Sequence, residues 1–111
     1  MNDDIKQLSP QQLKDWLDDA SQPVPVLLDV REPWEFETCH IAQSVSMPMQ
    51  TVTSRVQELE DDASFVVICH HGARSQQVAM YLARNGYPKV FNLQGGIDAW
   101  ARGVDPGMPQ Y

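Results

Sequence analysis

Apolar residues in this chain come in short unbroken runs that alternate with runs at helical spacing. Val26-Leu27-Leu28 and Phe65 to Cys69 are unbroken, which predicts strands buried on both faces. Ile5 to Leu8, Ser44 to Met47 and Lys89 to Leu93 are further short strands, and Pro48 stops the second of these. Ser9-Pro10-Gln11-Gln12 has the form of a capping box with proline at the first helical position. The helix it opens carries Leu13, Trp16 and Leu17 on one face and runs to about Asp19, ahead of Pro23 and Pro25. Pro33 opens a short helix over Glu32 to Glu37. Val52, Val56 and Leu59 predict a helix over Thr51 to Leu59. Ser75 to Asn85 is helical, with Gly86 where a C-terminal cap belongs. Gly95-Gly96 then turns the chain into a last helix, Ile97 to Arg102.

Strand and helix alternate from end to end, with no repeat, low-complexity stretch or linker. Residues 1–111 are therefore expected to form a single domain. Its fold class is α/β, a doubly wound parallel sheet with helices on both faces. Ligands in such sheets bind beyond the carboxyl ends of the strands.

Composition narrows the function. With 111 residues, 42% of them hydrophobic and 21% charged, the chain reads as soluble and globular. The longest apolar run is Val78 to Ala83, far short of the roughly 18 residues of a membrane span. The opening Met-Asn-Asp-Asp is acidic and has no apolar stretch behind it, so no secretory signal and a cytoplasmic location are expected. Two cysteines do not make a disulfide framework. The net charge of −7 argues against a nucleic-acid partner. That charge is uneven: residues 1–62 hold 4 basic and 13 acidic side chains, residues 63–111 hold 4 basic and 2 acidic. A site for a small anion belongs in the second half. The first half also reads simply as solvated acidic faces.

The loop rule points to Cys69, the last residue of the most apolar strand. His70-His71-Gly72-Ala73-Arg74 follows, and Ser75 starts a helix. A helix N-terminus offers unpaired N–H groups and the positive end of the dipole. A tight loop of small residues can curl its N–H groups inward as an anion nest, and Gly72 permits such a turn. Arg74 adds a permanent positive charge. Together these favour a thiolate over a thiol and attract an anionic substrate. The alternative, a buried cysteine acting as a small hydrophobe, fits poorly with a strand end followed by Gly and Arg. His70 and His71 could ligate a metal with Cys69, but adjacent residues rarely share one ion and no fourth ligand is spaced nearby. Neither a metal nor a cofactor is expected.

Cys69-His70-His71-Gly72-Ala73-Arg74-Ser75 resembles the active-site loop of rhodanese-type sulfurtransferases, C-x-x-G-x-R-S. Three more segments fall in family order. Asp29-Val30-Arg31-Glu32-Pro33-Trp34-Glu35-Phe36 is similar to D-x-R-x-x-x-E-[FY]. His40-Ile41, then Ser46-Met47-Pro48, is similar to G-H-I…[IL]-P. Leu93-Gln94-Gly95-Gly96-Ile97-Asp98-Ala99-Trp100 is similar to L-x-G-G-x-x-x-W. The resemblance spans nearly the whole chain and implies a stand-alone, single-domain member with a five-stranded parallel sheet. It implies that the Cys69 thiolate takes the outer sulfur of thiosulfate, releases sulfite, and hands the sulfur from its persulfide to cyanide or a thiol, protein thiols included. The loop His70, His71, Gly72, Ala73, Arg74 and Ser75 would bind the anionic donor. Asp29 and Arg31 would bind substrate or, as the preferred reading, hold the strand end and nearby loops by hydrogen bonds. Glu35 would orient Arg74 or sit solvated on its helix. Trp34 and Trp100 are expected to pack inside, and the Pro- and Gly-rich end to wrap the surface or fray. Nothing demands more than a monomer, and no membrane partner is expected.

One departure stands out. Where the family has Gly before His-Ile, this chain has Cys39, and a turn of positive φ would be strained there. Two rival functions share parts of this pattern. Cysteine phosphatases and arsenate reductases place five residues between Cys and Arg, whereas this loop has four, a smaller ring suited to a projecting sulfur rather than a phosphate. A non-catalytic interaction module would have no need of Cys69 and Arg74, although a protein persulfide relay would keep both.

Overall fold

The computed structural model describes residues 5–111. Five parallel strands form one sheet: β1 (Lys6–Leu8), β2 (Val26–Asp29), β3 (Val45–Ser46), β4 (Phe65–Ile68) and β5 (Val90–Leu93), in the order β1-β5-β4-β2-β3. The helices are α1 (Pro10–Asp18), α2 (Pro33–Thr38), α3 (Val52–Arg55), α4 (Ala73–Arg84) and α5 (Gly96–Gly103). The doubly wound five-stranded sheet with helices on both faces is thus observed. Among the described residues no helix is long and apolar enough to cross a membrane.

Two apolar cores sit on opposite faces of the sheet. On one face, Val52 of α3 and Val78, Ala79 and Leu82 of α4 pack with Leu28, Val67 and Val90. On the other, Leu13 of α1 and Ile97 and Trp100 of α5 pack with Leu27, Val66, Ile68 and Leu93. Alternate residues of β4 enter alternate cores, which is why all four must be apolar.

The chain leaves β4 toward α4 on the first face. It leaves β2 through α2 to Cys39 and Ile41, which pack on the second. Adjacent strands therefore send their connections to opposite sides and leave a crevice at their carboxyl ends.

Local signals behave as expected at most ends. Ser9 and Gln12 form the full capping box with Pro10 at the first turn. Gly86 takes φ 95 while the Tyr87 amide returns to Leu82 O at 3.1 Å, a left-handed helix cap.

Thr51 to Leu59 differs. A single α turn, α3, is flanked by 3-10 stretches at Met49–Thr51 and Val56–Glu58. Hydroxyls explain the break. Thr51 Oγ1 donates to Pro48 O at 2.7 Å and Ser54 Oγ to Thr51 O at 3.0 Å. The Tyr87 hydroxyl faces the carbonyls of Val56 and Leu59 at 2.9 and 3.2 Å.

Candidate active site

Cys69 stands immediately beyond β4 and is 1% exposed. Its sulfur accepts the Gly72 N–H at 3.0 Å, which curls the loop around it. Gly72 has φ 108 and is the cap from which α4 starts, so the glycine is required by the backbone. α4 begins at Ala73, two residues earlier than expected, and Arg74 falls in its first turn. The first intrahelical bond runs from Gln76 N to Gly72 O. The N–H groups of Ala73, Arg74 and Ser75 precede it and have no partner within the helix. These amides, the helix dipole and Arg74 make one end of the crevice anion-attracting.

The Ser75 hydroxyl is buried, 2.5 Å from Asn92 Oδ1 and 3.3 Å from Cys69 Sγ. Its single proton serves one acceptor at a time. Asn92 Nδ2 donates to Gln7 Oε1 and to Gly72 O, which turns its oxygen toward Ser75. The Ser75 side chain is thus spent on Asn92 and the sulfur, and only its amide remains for an anion. Asn92 was missed by sequence reasoning, although an Asn inside Val90-Phe91-Asn92-Leu93 is a polar break in a buried strand.

Backbone bonds tie the loop to α5: Ile97 N donates to Cys69 O at 2.8 Å and Asp98 N to His70 O at 3.0 Å. A Cβ on Gly96 would stand 2.4 Å from both of those carbonyl oxygens, so only glycine permits this approach.

On the other side of the crevice the charged groups form a chain. Asp29 and Arg31 are fully buried and paired through two side-chain bonds, at 2.9 and 2.7 Å. The remaining Arg31 donors go to Cys39 O, Glu35 O and the Tyr111 hydroxyl. All five guanidinium N–H groups are spent, which leaves Arg31 none for a substrate and makes it a brace between β2, α2 and the segment after it. Burial works against its charge, but the bonds with Asp29 and Tyr111 outweigh it and raise its pKa.

Glu35 accepts both Arg74 terminal nitrogens, at 2.8 and 3.0 Å, the Glu32 amide at 2.8 Å and the Tyr111 hydroxyl at 3.0 Å. The Arg74 bonds above all, with the Glu32 amide and Tyr111, hold its pKa down to about 2 against the opposing effect of burial. The solvated alternative for Glu35 is therefore not what is observed.

Tyr111 completes the chain. Burial pushes its hydroxyl up to about 12, and its ring stacks on His70 at 4.2 Å. Trp34, expected inside, is 59% exposed and meets Tyr111 edge-on at 5.3 Å, because α2 buries Glu35 instead. Trp100 is buried as expected.

Burial and the neighbouring His71 lower the His70 pKa. His70, His71 and Asp98 bring ligand atoms within 4.8 Å of one another. Among the described residues they are the group that could hold a divalent ion, but Arg102 already pairs with Asp98 at 2.8 Å and His71 is exposed.

Cys39 has φ −167, an extended conformation open to any residue, so the expected strain does not arise. The left-handed residue of this stretch is Gln43, φ 70. Both cysteines are free; Cys69 belongs to the core under α4 and Cys39 to the core under α1 and α5.

Comparison with known proteins agrees with this geometry. The family model for the Rhodanese-like domain matches residues 9–102. The chain is similar to a protein named sulfurtransferase from Allochromatium vinosum, 42% identical over 77 residues, covering 69% of this chain and 72% of that one. It is 32% identical over 106 residues to thiosulfate sulfurtransferase GlpE of Pseudomonas aeruginosa PAO1, covering 96% and 92% of the two chains. The crystal structure of a rhodanese-related protein from Thermoplasma volcanium superposes with a TM-score of 0.80 at 28% identity, covering 89% of this chain and 93% of that one. Three separate stretches of sequence, 29–39, 69–75 and 92–98, meet at the carboxyl edge of one sheet, and the family model runs through all three: the chain belongs to the rhodanese-like domain family.

Proposed function

We propose that the protein is a sulfurtransferase that moves a sulfane sulfur from thiosulfate, or a related small anionic donor, to a thiol, a protein thiol or cyanide. The Cys69 thiolate attacks the outer sulfur of the donor. The donor S–S bond breaks, sulfite leaves with the bonding electron pair, and Cys69 holds the sulfur as a persulfide. The acceptor then attacks that terminal sulfur and returns Cys69 to the thiolate, a ping-pong cycle. The amides of the His70–Ser75 loop and the Arg74 charge bind the donor anion and then the persulfide. Asp29, Arg31 and Glu35 support the loop without touching substrate. On this reading the chain works as a single-domain monomer in the reducing cytoplasm.

The observation that carries the reading is the Gly72 amide 3.0 Å from Cys69 Sγ at the base of a helix N-terminus that also bears Arg74. The donor class is supported by relatives named thiosulfate sulfurtransferase GlpE. The test is intact mass after incubation with thiosulfate. A gain of one sulfur atom, removed by a thiol reductant and absent in Cys69→Ser, is expected; no gain in the wild-type protein sinks the proposal.

A further inference from the structure

Tyr111 lies 80 residues from Arg31 and 76 from Glu35 in sequence, yet its hydroxyl sits between them. It accepts from Arg31 Nη1 at 2.8 Å and donates to Glu35 Oε2 at 3.0 Å. A hydroxyl that accepts from a guanidinium becomes a stronger donor, so the two bonds reinforce one another. Its ring meanwhile covers His70, the residue next to Cys69. Pro109, Gln110 and Tyr111 line, with Cys39 and His70, a small cavity of about 10 Å³, roughly one water.

We propose that Tyr111 is a positioning residue for anion binding at the Cys69 loop. It acts at two points. Through the hydroxyl it holds Glu35 in the orientation that grips Arg74 with both oxygens. Through the ring it fixes His70 and hence the start of the loop. It also draws part of the Glu35 charge onto itself, which leaves more of the Arg74 field for an incoming anion. The effect falls on the sulfur donor, which is an anion that needs both Arg74 and the loop amides. It does not fall on the acceptor, a thiol with no other charged group that loses its proton to solvent and attacks the persulfide as the thiolate, because that nucleophile brings no oxyanion for Arg74 and the loop amides to hold. The inference rests on the anion-binding reading of the loop given above.

Tyr111→Phe keeps the ring and removes the hydroxyl; Tyr111→Ala removes both. In ping-pong kinetics, kcat/KM for the donor and kcat/KM for the acceptor are read separately. With thiosulfate and a neutral thiol, Tyr111→Phe is expected to lower the donor value about threefold to tenfold and leave the acceptor value unchanged. Tyr111→Ala is expected to lower the donor value further. A purely structural role would lower both values together by reducing the active fraction, and that result overturns the proposal. A second measurement needs no turnover: the concentration of sulfate, an unreactive dianion, that half-protects Cys69 from iodoacetamide. It should rise about threefold to tenfold in Tyr111→Phe. An unchanged value, or no protection in the wild-type protein, overturns the proposal. Failure of sulfur transfer itself is seen separately, as a wild-type protein that gains no sulfur mass.

Discussion

Glu35 grips Arg74 through two parallel hydrogen bonds, at 2.8 and 3.0 Å, across 39 residues of chain. One partner is the buried face of a six-residue helix after β2, the other the first turn of α4 after β4. The pair spans the crevice between two adjacent strands. It sets where the cation stands relative to Cys69, and it is about one-third exposed on the Arg74 side, so an anion can still reach the guanidinium.

Replacing the sulfur tests the chemistry directly. Cys69→Ser should fold normally, since Cys69 is a small buried side chain and Ser is smaller still. Its sulfur transfer should fall by more than about a thousandfold, because a hydroxyl cannot carry a persulfide. The thiosulfate–cyanide rate, with circular dichroism as the folding control, measures both.

Arg74 contributes charge in a fixed place. Arg74→Ala should lower kcat/KM for thiosulfate by about 10- to 100-fold, the size of a lost charged hydrogen bond. It also leaves Glu35 without its bidentate partner. Arg74→Lys should recover only part, since an ammonium cannot match both carboxylate oxygens. Full recovery with Lys would show that charge alone matters and geometry does not.

Acid should loosen the site through Glu35. Its pKa in the folded protein is about 2, below its ordinary 4.5. A depressed carboxyl contributes stability that is fully present above the unfolded value and is lost as pH falls through the folded one. The stability difference between wild type and Glu35→Gln should therefore be constant above about pH 5 and shrink steadily between pH 4.5 and pH 2. Urea unfolding midpoints at four pH values across that window read it. A difference that does not change with pH would show that the native pairing is not with an ionised Glu35.

The four residues between Cys69 and Arg74 set the ring size. The protein should hydrolyse aryl phosphates negligibly, and an insertion between Ala73 and Arg74 should slow thiosulfate turnover by displacing Arg74 from Glu35. Phosphate release comparable to sulfur transfer in the wild-type protein would contradict the ring-size argument.

Cys39 and Cys69 pack into cores on opposite faces of the sheet, and a disulfide needs Cα atoms closer than about 7 Å with Cβ vectors converging. Cys39→Ser should keep near-normal sulfur transfer. Non-reducing peptide mapping after mild peroxide should show no 39–69 crosslink; a dominant crosslinked peptide would make the two thiols a redox pair.

Local rules were enough to locate the strands, the capping box at Ser9, the left-handed Gly86 and the loop from Cys69 to Ser75. Each depends on residues a few positions apart, where side-chain period, φ preference and hydroxyl caps act without help from the rest of the chain. The alternation of elements also determined that Cys69 lies at the ligand-binding edge. What tertiary structure alone decided involves partners far apart in sequence. Thr51 to Leu59 has helical spacing, and beside the local Thr51 and Ser54 hydroxyls it is Tyr87, from beyond α4, whose hydroxyl faces the carbonyls of Val56 and Leu59. Trp34 looks like a core residue, yet Glu35 next to it takes the buried position because Arg74 arrives from 39 residues away to neutralise it. Asn92 makes sense only beside Ser75 and Gly72. Tyr111 has no local signal at all: its role exists only where the end of the described chain meets a guanidinium and a carboxylate already held in place by other elements.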